Sequence, residues 1–336
     1  MPDFQGFPVA LNAALFLLLA GGIWIAGSRL ARTADEIAAV TGLGQAVAGM
    51  LLLGGITSLP EMAVTVPISL RGEADLAVNN ILGGVAFQVV VIAVGDAMLR
   101  RRAITGAPAA PPLLLQPAVC TLLLCAAALG IVVGDIAILG VGIWSGGILL
   151  ASLAAFLWIA RQKGNDGPPN GDGAGGGNRR PLARLVLELV LVGGILVVLG
   201  WAVARTSEAL VAQTGLEAGF FGFVFLALAT SLPEVSTVIA AVRIDRPTMA
   251  LGDIFGTNIF DIALIFLIDL VYVGGAVLND LGASSIIAAL LGALVTIVYL
   301  LGLIERRDPT IGRLGVDSVG VVLLYGLGAV LLFFAA

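Results

Sequence analysis

The chain has 336 residues, of which 59% are hydrophobic and 12% charged, with a net charge of −5. Soluble domains carry roughly 25% charged residues, so this composition excludes an ordinary soluble protein. The sequence has no histidine and no basic stretch interleaved with aromatics, so neither an HExxH zinc hydrolase nor a nucleic-acid partner is expected. Several continuously apolar runs reach the roughly 20 residues that span a bilayer, and they do not alternate like barrel strands. The sequence predicts an all-α polytopic membrane protein.

Ten transmembrane helices are predicted from the apolar runs. The first begins at Phe7 without a basic segment before it, so it is interpreted as a true span and not as a cleaved signal. The predicted spans are 7–28, 36–70, 74–98, 112–134, 136–160, 182–204, 215–243, 248–275, 283–304 and 314–335.

A polar segment separates the spans into two groups of five. Gln162–Pro181 is rich in Gly, Asn, Pro and Asp, and such a segment cannot bury apolar surface. We therefore expect a first five-helix region at 1–161, a flexible linker at 162–181 and a second five-helix region at 182–336.

The basic residues predict the orientation. All of the 17 Lys and Arg residues except Arg71 and Arg205 fall on one side of the ten spans. Because cytoplasmic loops carry the excess of Lys and Arg, that side is expected to be cytoplasmic. The linker is then cytoplasmic, both termini lie outside, and the chain is a multi-pass protein of a cell (inner) membrane.

A pentapeptide occurs twice. Thr57–Glu61 and Thr230–Glu234 both read Thr-Ser-Leu-Pro-Glu, 173 positions apart, and Asp96 matches Asp269 at the same offset. Five spans per half is an odd number, so the second half crosses the membrane in the opposite sense to the first. This is the pattern of an inverted-topology repeat, which is common in secondary transporters.

The pentapeptides place a helix breaker beside a carboxylate at membrane depth. Pro60 leaves the carbonyls of Ile56 and Thr57 without their usual helix donors, and Pro233 does the same in the second half. Freed carbonyls are tolerated in a membrane only where they line a cavity or are otherwise satisfied, and a hard cation such as Ca²⁺ satisfies oxygen ligands well. The simpler alternative, a proline kink satisfied by a serine, is disfavoured because the stretch occurs twice, each time with a glutamate.

The helix after each pentapeptide adds further polar side chains. In the second half Thr257 and Asp261 lie four apart on one helix face, with Asp253 and Asn258 nearby. The first half is poorer, with Gly84 and Gln88 at the matching positions. Asp253 and its counterpart Asn80 are interpreted equally well as helix caps, as interhelix hydrogen bonds or as site residues.

On these residues the chain resembles the sodium/calcium exchangers of the cation/calcium antiporter superfamily, prokaryotic type. The resemblance covers both halves and the linker, and rests on the two pentapeptides and on Gly256–Asp261. It implies that Glu61 and Glu234 are the calcium carboxylates and that the Thr57 and Thr230 carbonyls are calcium ligands. It further implies auxiliary or sodium-site roles for Ser58, Ser231, Thr257, Asp261 and Gln88, and a sliding motion of spans one and six.

The chain departs from the family pattern at Gly84, Val85 and Gln88, where the family has Ser, Asn and Asn or Asp. The predicted function is a secondary antiporter exchanging Ca²⁺ for Na⁺, with a calcium/proton antiporter as the alternative. A channel and an intramembrane enzyme are more distant alternatives. No cofactor is expected, the partners are Ca²⁺, Na⁺ or H⁺ and the lipid bilayer, and the oligomeric state stays open.

Overall fold

The structure is a computed structural model, and it describes residues 4–99, 103–106, 110–162, 180–213, 227–306 and 309–335. Two predicted segments fall partly outside these ranges. Most of the predicted linker 162–181 is not among the described residues, and the seventh predicted span is described only from Ala227 onward.

The first half of the chain is helical apart from one short hairpin. Its elements are α1 (Val9–Thr41), α2 (Gln45–Ala48), a π-helical turn (Gly49–Gly54), α3 (Gly55–Leu70), α4 (Ala74–Met98), α5 (Pro111–Val133), the strands β1 (Ala137–Ile138) and β2 (Val141–Gly142), and α6 (Ile143–Arg161). The segments α2, π-helical turn and α3 follow one another without a gap.

The second half has the same order of long helices and a matching hairpin. Its elements are α7 (Leu182–Ala212), α8 (Ala227–Thr230), α9 (Leu232–Arg243), α10 (Pro247–Val271), α11 (Ala283–Glu305), the strands β3 (Thr310–Ile311) and β4 (Leu314–Gly315), and α12 (Val316–Ala335). Each hairpin pairs two antiparallel strands just before the last helix of its half.

The chain is a multi-pass membrane protein by the length and composition of its helices. Within the described residues, 8 helical segments are long and apolar enough to cross a membrane, and Val316–Leu332 is apolar but shorter. Large apolar side chains such as Leu18, Ile25 and Leu122 are exposed on the outside of the bundle. In a soluble protein such a surface would be a liability, whereas a bilayer matches it.

Several predicted span boundaries are wrong. The sixth span was expected to end at 204, but α7 continues to Ala212. The first span was expected to end at 28 and the second to begin at 36, but α1 continues to Thr41, where Gly42 adopts a φ of 75° and ends the helix. The charged turn stays helical because its side chains are paired: Asp35 with Arg246, and Glu36 with Arg180. The fifth span was expected from 136, but the β1–β2 hairpin occupies those residues and α6 begins at Ile143.

The helices differ in how deeply they are buried. The most apolar stretches of α4 and α10 are 72% and 61% buried, whereas those of α1 and α7 are only 17% and 22% buried. The two peripheral helices pack along one another, and they contact the rest of the bundle mainly through α9 and α3. The protein is therefore a buried centre with one helix pair laid against its side.

One buried aspartate in each half makes the same set of hydrogen bonds, and these bonds join the two halves. Asp96 accepts hydrogen bonds from the backbone N–H of Ile104 at 2.7 Å and of Gly315 at 2.6 Å, and from the Ser318 hydroxyl. At the repeat offset, Asp269 accepts from the N–H of Val277 at 2.6 Å and of Gly142 at 2.7 Å, and from the Ser145 hydroxyl. Each aspartate thus binds one loop of its own half and the last hairpin and helix of the other half.

Candidate functional site

The side chains predicted for the site are all buried in the centre of the bundle, where α3, α9, α4 and α10 meet. Ser58 is 4% exposed, and the others have no exposed surface. The residues are Thr57, Ser58, Glu61, Gln88, Thr230, Ser231, Glu234, Thr257 and Asp261.

The two proline stretches are irregular in different ways. In the second half the helix is interrupted at Ser231, directly before α9. In the first half α3 continues through Pro60, so the expected interruption there is absent, and the irregularity is the π-helical turn that precedes it. The hydroxyls of Thr57 and Ser58 donate to the carbonyls of Leu53 and Gly54 at 3.1 and 3.0 Å, which ties the turn to α3.

Glycines allow the π-helical turn to lie directly on α10. A Cβ on Gly49 would lie 2.3 Å from the Met249 carbonyl, and one on Gly54 would lie 2.7 Å from the Thr257 nitrogen. Real side chains do not approach so closely, so both positions require glycine. This contact brings the first pentapeptide against the helix that carries Thr257 and Asp261.

Hydrogen bonds across the contact join the two halves. The Thr57 and Thr257 hydroxyl oxygens are 3.1 Å apart. The Gln88 amide nitrogen donates to Asp261 Oδ2 at 3.0 Å, and these two residues are themselves 173 positions apart. Gln88 and Asp261 therefore meet at the centre of the repeat, where each half presents the same position to the other.

Within the described residues, the two glutamates form no close hydrogen bond and no ion pair through their carboxylates. Glu61 lies next to the Thr230 side chain, and Glu234 next to that of Thr57, so each carboxylate faces the pentapeptide of the other half. None of the four carboxylate oxygens has a hydrogen-bond partner, and neither glutamate forms an ion pair within the described residues. Ionised carboxylates at this depth cost several kcal/mol unless positive charge compensates them.

Besides Glu61, Glu234 and Asp261, a fourth buried carboxyl group lies near the site. Asp253 accepts a hydrogen bond from the Thr237 hydroxyl, and its other oxygen, Oδ1, has no partner. The Thr237 hydroxyl oxygen also lies 3.1 Å from the Glu234 carbonyl, the alternative acceptor for its single proton. The interhelix hydrogen bond expected as one role for Asp253 is therefore present. Sequence reasoning missed Thr237, although a hydroxyl three residues after Glu234 on the same helix face was a usable signal.

The oxygens present fit a hard cation better than a soft one. Among the described residues no three Asp, Glu or Cys side chains group closely enough to hold a metal by themselves. A calcium ion takes six to eight oxygens, so it would need hydroxyl, amide or carbonyl oxygens beside the glutamates. Buried oxygens without partners are available on Ser231, Gln88 and Asp261. At Gly84 the side-chain oxygen is missing, and a Cβ there would lie 3.9 Å from the Ser231 hydroxyl.

The peripheral helix pair covers both proline stretches. Gly27 of α1 lies on the second stretch, where an added Cβ would be 3.3 Å from the Pro233 carbonyl. Gly200 of α7, at the repeat offset, lies on the first, where a Cβ would be 2.5 Å from Pro60 Cβ. An ion leaving the glutamates toward this side must therefore pass α1 or α7.

The fold defines a polytopic membrane protein, and buried acids facing the inside of such a bundle mark ion pathways. The sequence matches the family described as sodium/calcium exchanger protein over residues 11–161 and 185–334. The chain belongs to the sodium/calcium exchanger family, whose members are cation antiporters.

Two curated relatives cover most of the chain. The sequence is 30% identical over 332 residues to the inner membrane protein YrbG of Escherichia coli strain K12, covering 93% of this chain and 94% of that protein. It is 24% identical over 260 residues to the putative antiporter CaxA of Alkalimonas amylolytica, covering 75% and 78% respectively.

Solved structures of the sodium-calcium exchanger NCX_Mj have the same fold. The protein soaked with 2.5 mM Na⁺ and 0.1 mM Sr²⁺ matches with a TM-score of 0.72 at 18% identity, covering 96% of this chain and 99% of that one. The protein soaked with zero Na⁺ and Ca²⁺ matches with a TM-score of 0.68 at 19% identity, covering 97% and 100%.

Proposed function

We propose that the protein exchanges Ca²⁺ for Na⁺ by alternating access at the site between the two pentapeptides. The observation that carries this proposal is the pair of buried, partnerless carboxylates, Glu61 and Glu234, one from each half. The calcium ligands are the two glutamates and the carbonyls of Thr57 and Thr230.

The auxiliary oxygens of the proposed site come from side chains around the glutamates. They belong to Ser58, Ser231, Thr257, Asp261 and Gln88, and they take part in the sodium-bound state.

Charge compensation couples the two fluxes. The glutamates bring two negative charges into a low-dielectric interior, and a single Ca²⁺ or two Na⁺ ions neutralise them equally well. The empty, charged site is costly to move across the membrane, whereas the neutralised site is not. Exchange is therefore favoured over the passage of either ion alone, and the protein needs no covalent chemistry and acts as a transporter, not as an enzyme.

The similar proteins support the proposal of cation antiport. One of them is a putative antiporter, and NCX_Mj is a sodium-calcium exchanger studied with Na⁺, Ca²⁺ and Sr²⁺. For the present chain we propose ten spans in two inverted halves, 1–161 and 182–336. The linker 162–181 is cytoplasmic, the termini are outside, and the membrane is the inner membrane of a prokaryote.

A second candidate function is calcium/proton exchange, and specific residues favour it. Gly84 contributes no oxygen, and the Gln88 amide nitrogen ties that side chain to Asp261, which leaves only its amide oxygen for an ion. Asp253 adds a carboxyl group with a partnerless oxygen. Fewer neutral oxygens weaken a sodium site, and more carboxyl groups offer more places for protons.

Flux measurements separate the two candidates. Calcium uptake is measured in proteoliposomes with an imposed Na⁺ gradient at equal pH, and with an imposed pH gradient without Na⁺. Uptake driven by Na⁺ alone supports the first candidate, and uptake driven by pH alone supports the second. Calcium movement with neither gradient, down its own gradient and at channel rates, would contradict antiport.

Restoring oxygens to the first half is expected to strengthen the sodium dependence of calcium flux. The Gly84→Ser and Gln88→Asn double variant adds a hydroxyl beside Ser231 and shortens the amide to the length of its counterpart. The half-saturating Na⁺ concentration is expected to fall severalfold, measured as initial calcium flux against Na⁺. Gly146→Ser is the control, because a Cβ there meets nothing within 4 Å. An unchanged Na⁺ response would show that these positions do not contact sodium.

Asp261→Asn is expected to reduce transport less than loss of either glutamate. The substitution keeps an oxygen and a hydrogen-bonding group for Gln88, and it removes only the auxiliary charge. Calcium flux measured across a pH series should become less steep, because one titratable group is lost. Inactivity as complete as that of Glu234→Ala would instead make Asp261 a primary ligand.

A further inference from the structure

Within the described residues, one ion pair fastens the peripheral helix pair to the buried centre at one end of the molecule. Asp35 of α1 accepts from Arg246 Nε at 2.7 Å, and Arg246 stands immediately before α10. Gln45 of α2 donates to the same Asp35 oxygen at 3.2 Å. Both partners are largely buried, with side chains 23% and 19% exposed, so this contact is better shielded than a surface ion pair.

The neighbouring ion pairs have a different role, because they hold α1 and α7 together. Glu188 of α7 binds Arg29 of α1 and, at 2.6 Å, Arg180. Arg180 also binds Glu36 of α1 with its Nε at 2.8 Å. These contacts tie the pair into one unit, whereas the contact of Asp35 with Arg246 joins that unit to the rest of the protein.

At the other end of the molecule the repeat supplies only one partner of such a pair, because Glu73 and not a cation stands at the position that corresponds to Arg246. Glu208 of α7 occupies the position of Asp35, 173 residues further on, eight residues after the glycine that covers a proline. Arg71, which directly follows α3 and stands two residues before Glu73, lies close enough to Glu208 to interact with it electrostatically. Yet Arg71 is bound to Glu73 at 2.7 Å, and Glu208 is bound to Arg205 of its own helix.

We propose that Asp35–Arg246 and Glu208–Arg71 are alternate latches, of which only one is closed at a time. The inference rests on the proposed function, since alternating access requires α1 and α7 to move relative to the pentapeptides that they cover. In the present conformation the Asp35–Arg246 latch is closed and the other is open. The site is thus fastened shut toward the face that carries Arg246, and the conformation with Glu208–Arg71 closed fastens the opposite face.

Charge variants test the latches through opposite effects on the two faces. Asp35→Asn should favour the conformation open toward the Arg246 face and lower the half-saturating calcium concentration from that face by about fivefold, the ratio expected for an ion pair of this burial. Arg71→Gln should raise the half-saturating calcium concentration measured from the Arg246 face. Arg32→Gln is the matched control, because it removes an exposed charge of α1 that forms no ion pair among the described residues.

The double variant Asp35→Arg with Arg246→Asp reverses the charges of the first ion pair. It should restore the wild-type ratio of the half-saturating calcium concentrations measured from the two faces. The proposal is overturned if Asp35→Asn behaves like Arg32→Gln, or if Asp35→Asn and Arg71→Gln change the ratio in the same direction. It is also overturned if the reversed pair is no closer to wild type than Asp35→Asn.

Crosslinking tests the latches without relying on calcium transport. Cys120 and Cys125 are first replaced by alanine. In that background, one variant carries cysteines at positions 35 and 246 and another carries them at positions 71 and 208. Each pair is joined by a reducible bis-thiosulfonate about as long as an arginine side chain. Without added ions the first pair should link several times faster than the second. Equal rates would contradict the assignment of the closed latch.

In the same preparation, a 35–246 crosslink should stop exchange until it is reduced. Full exchange by the crosslinked protein would show that this contact need not open. If the wild type carries no calcium while the crosslinking rates differ as expected, the proposed function fails and the latches survive.

Discussion

Alanine at either Glu61 or Glu234 is expected to reduce calcium transport by more than about 100-fold, because removing one partner from a buried charged site costs ~3–5 kcal/mol. Each variant leaves one carboxylate facing a divalent ion, and it leaves the oxygens around Thr57 and Thr230 with half the compensating charge. The measurement is initial calcium uptake into proteoliposomes, normalised to the amount of folded protein in the membrane.

The control for these variants is Asp75→Ala, which removes an exposed carboxylate from the first turn of α4. It should transport at the wild-type rate. A Glu61 or Glu234 variant that inserts normally and also transports at that rate would remove the two-glutamate site from the mechanism. Glu61→Gln should be nearly as inactive as Glu61→Ala, because an amide restores the shape and one oxygen but no charge.

Valine at Gly200 is expected to lower transport by more than about tenfold, since overpacking of this kind costs ~1–3 kcal/mol wherever the surroundings cannot yield. Its Cβ would lie 2.5 Å from Cβ and 3.0 Å from Cγ of Pro60, a rigid ring that cannot rotate away. Helix α7 must then move away from α3 at Pro60, one residue before Glu61. This displacement disturbs both the site and the contact along which α7 is proposed to slide.

Gly194→Val provides the matched control on the same helix. A Cβ at Gly194 meets nothing within 4 Å, so this variant adds the same bulk where there is space. Comparison of initial calcium flux and of thermal unfolding midpoints separates a disturbed site from a destabilised protein. Equal activity of the two variants would show that close contact between α7 and Pro60 is not needed for transport.

Most of the helices were predictable because membrane depth imposes a simple rule. An apolar run of fixed length must be helical, and α4 has the bounds expected from the sequence, Ala74–Met98. The rule fails where charges or short hairpins lie near the membrane surface. Helix α1 runs on through Asp35 and Glu36 because cations from distant parts of the chain pair with them, and no local pattern reveals those partners.

The members of the candidate site were predictable for a similar reason, but their arrangement was not. A glutamate beside a proline in an apolar run is costly wherever it lies, so Glu61 and Glu234 stood out from the sequence. The π-helical turn did not, because it depends on glycines meeting α10 from 200 residues away in the chain. The direct bond between Gln88 and Asp261 likewise follows from the way the halves meet and not from either half alone.

The crossed aspartate contacts also set an order in which the protein can be completed. Gly142 and Ser145 have already been synthesised when Asp269 enters the membrane, so these two hydrogen-bond donors are present at once. Asp96 has no such advantage, because Gly315 and Ser318 are made 219 and 222 residues after it. Until they arrive, a carboxylate that will end fully buried is short of two of its three donors, a state that costs free energy in an apolar surrounding. The half of the chain that is made first therefore cannot finish folding before the last hairpin and helix of the other half are made, and a nascent chain stopped before β4 leaves it exposed to chaperones and membrane proteases.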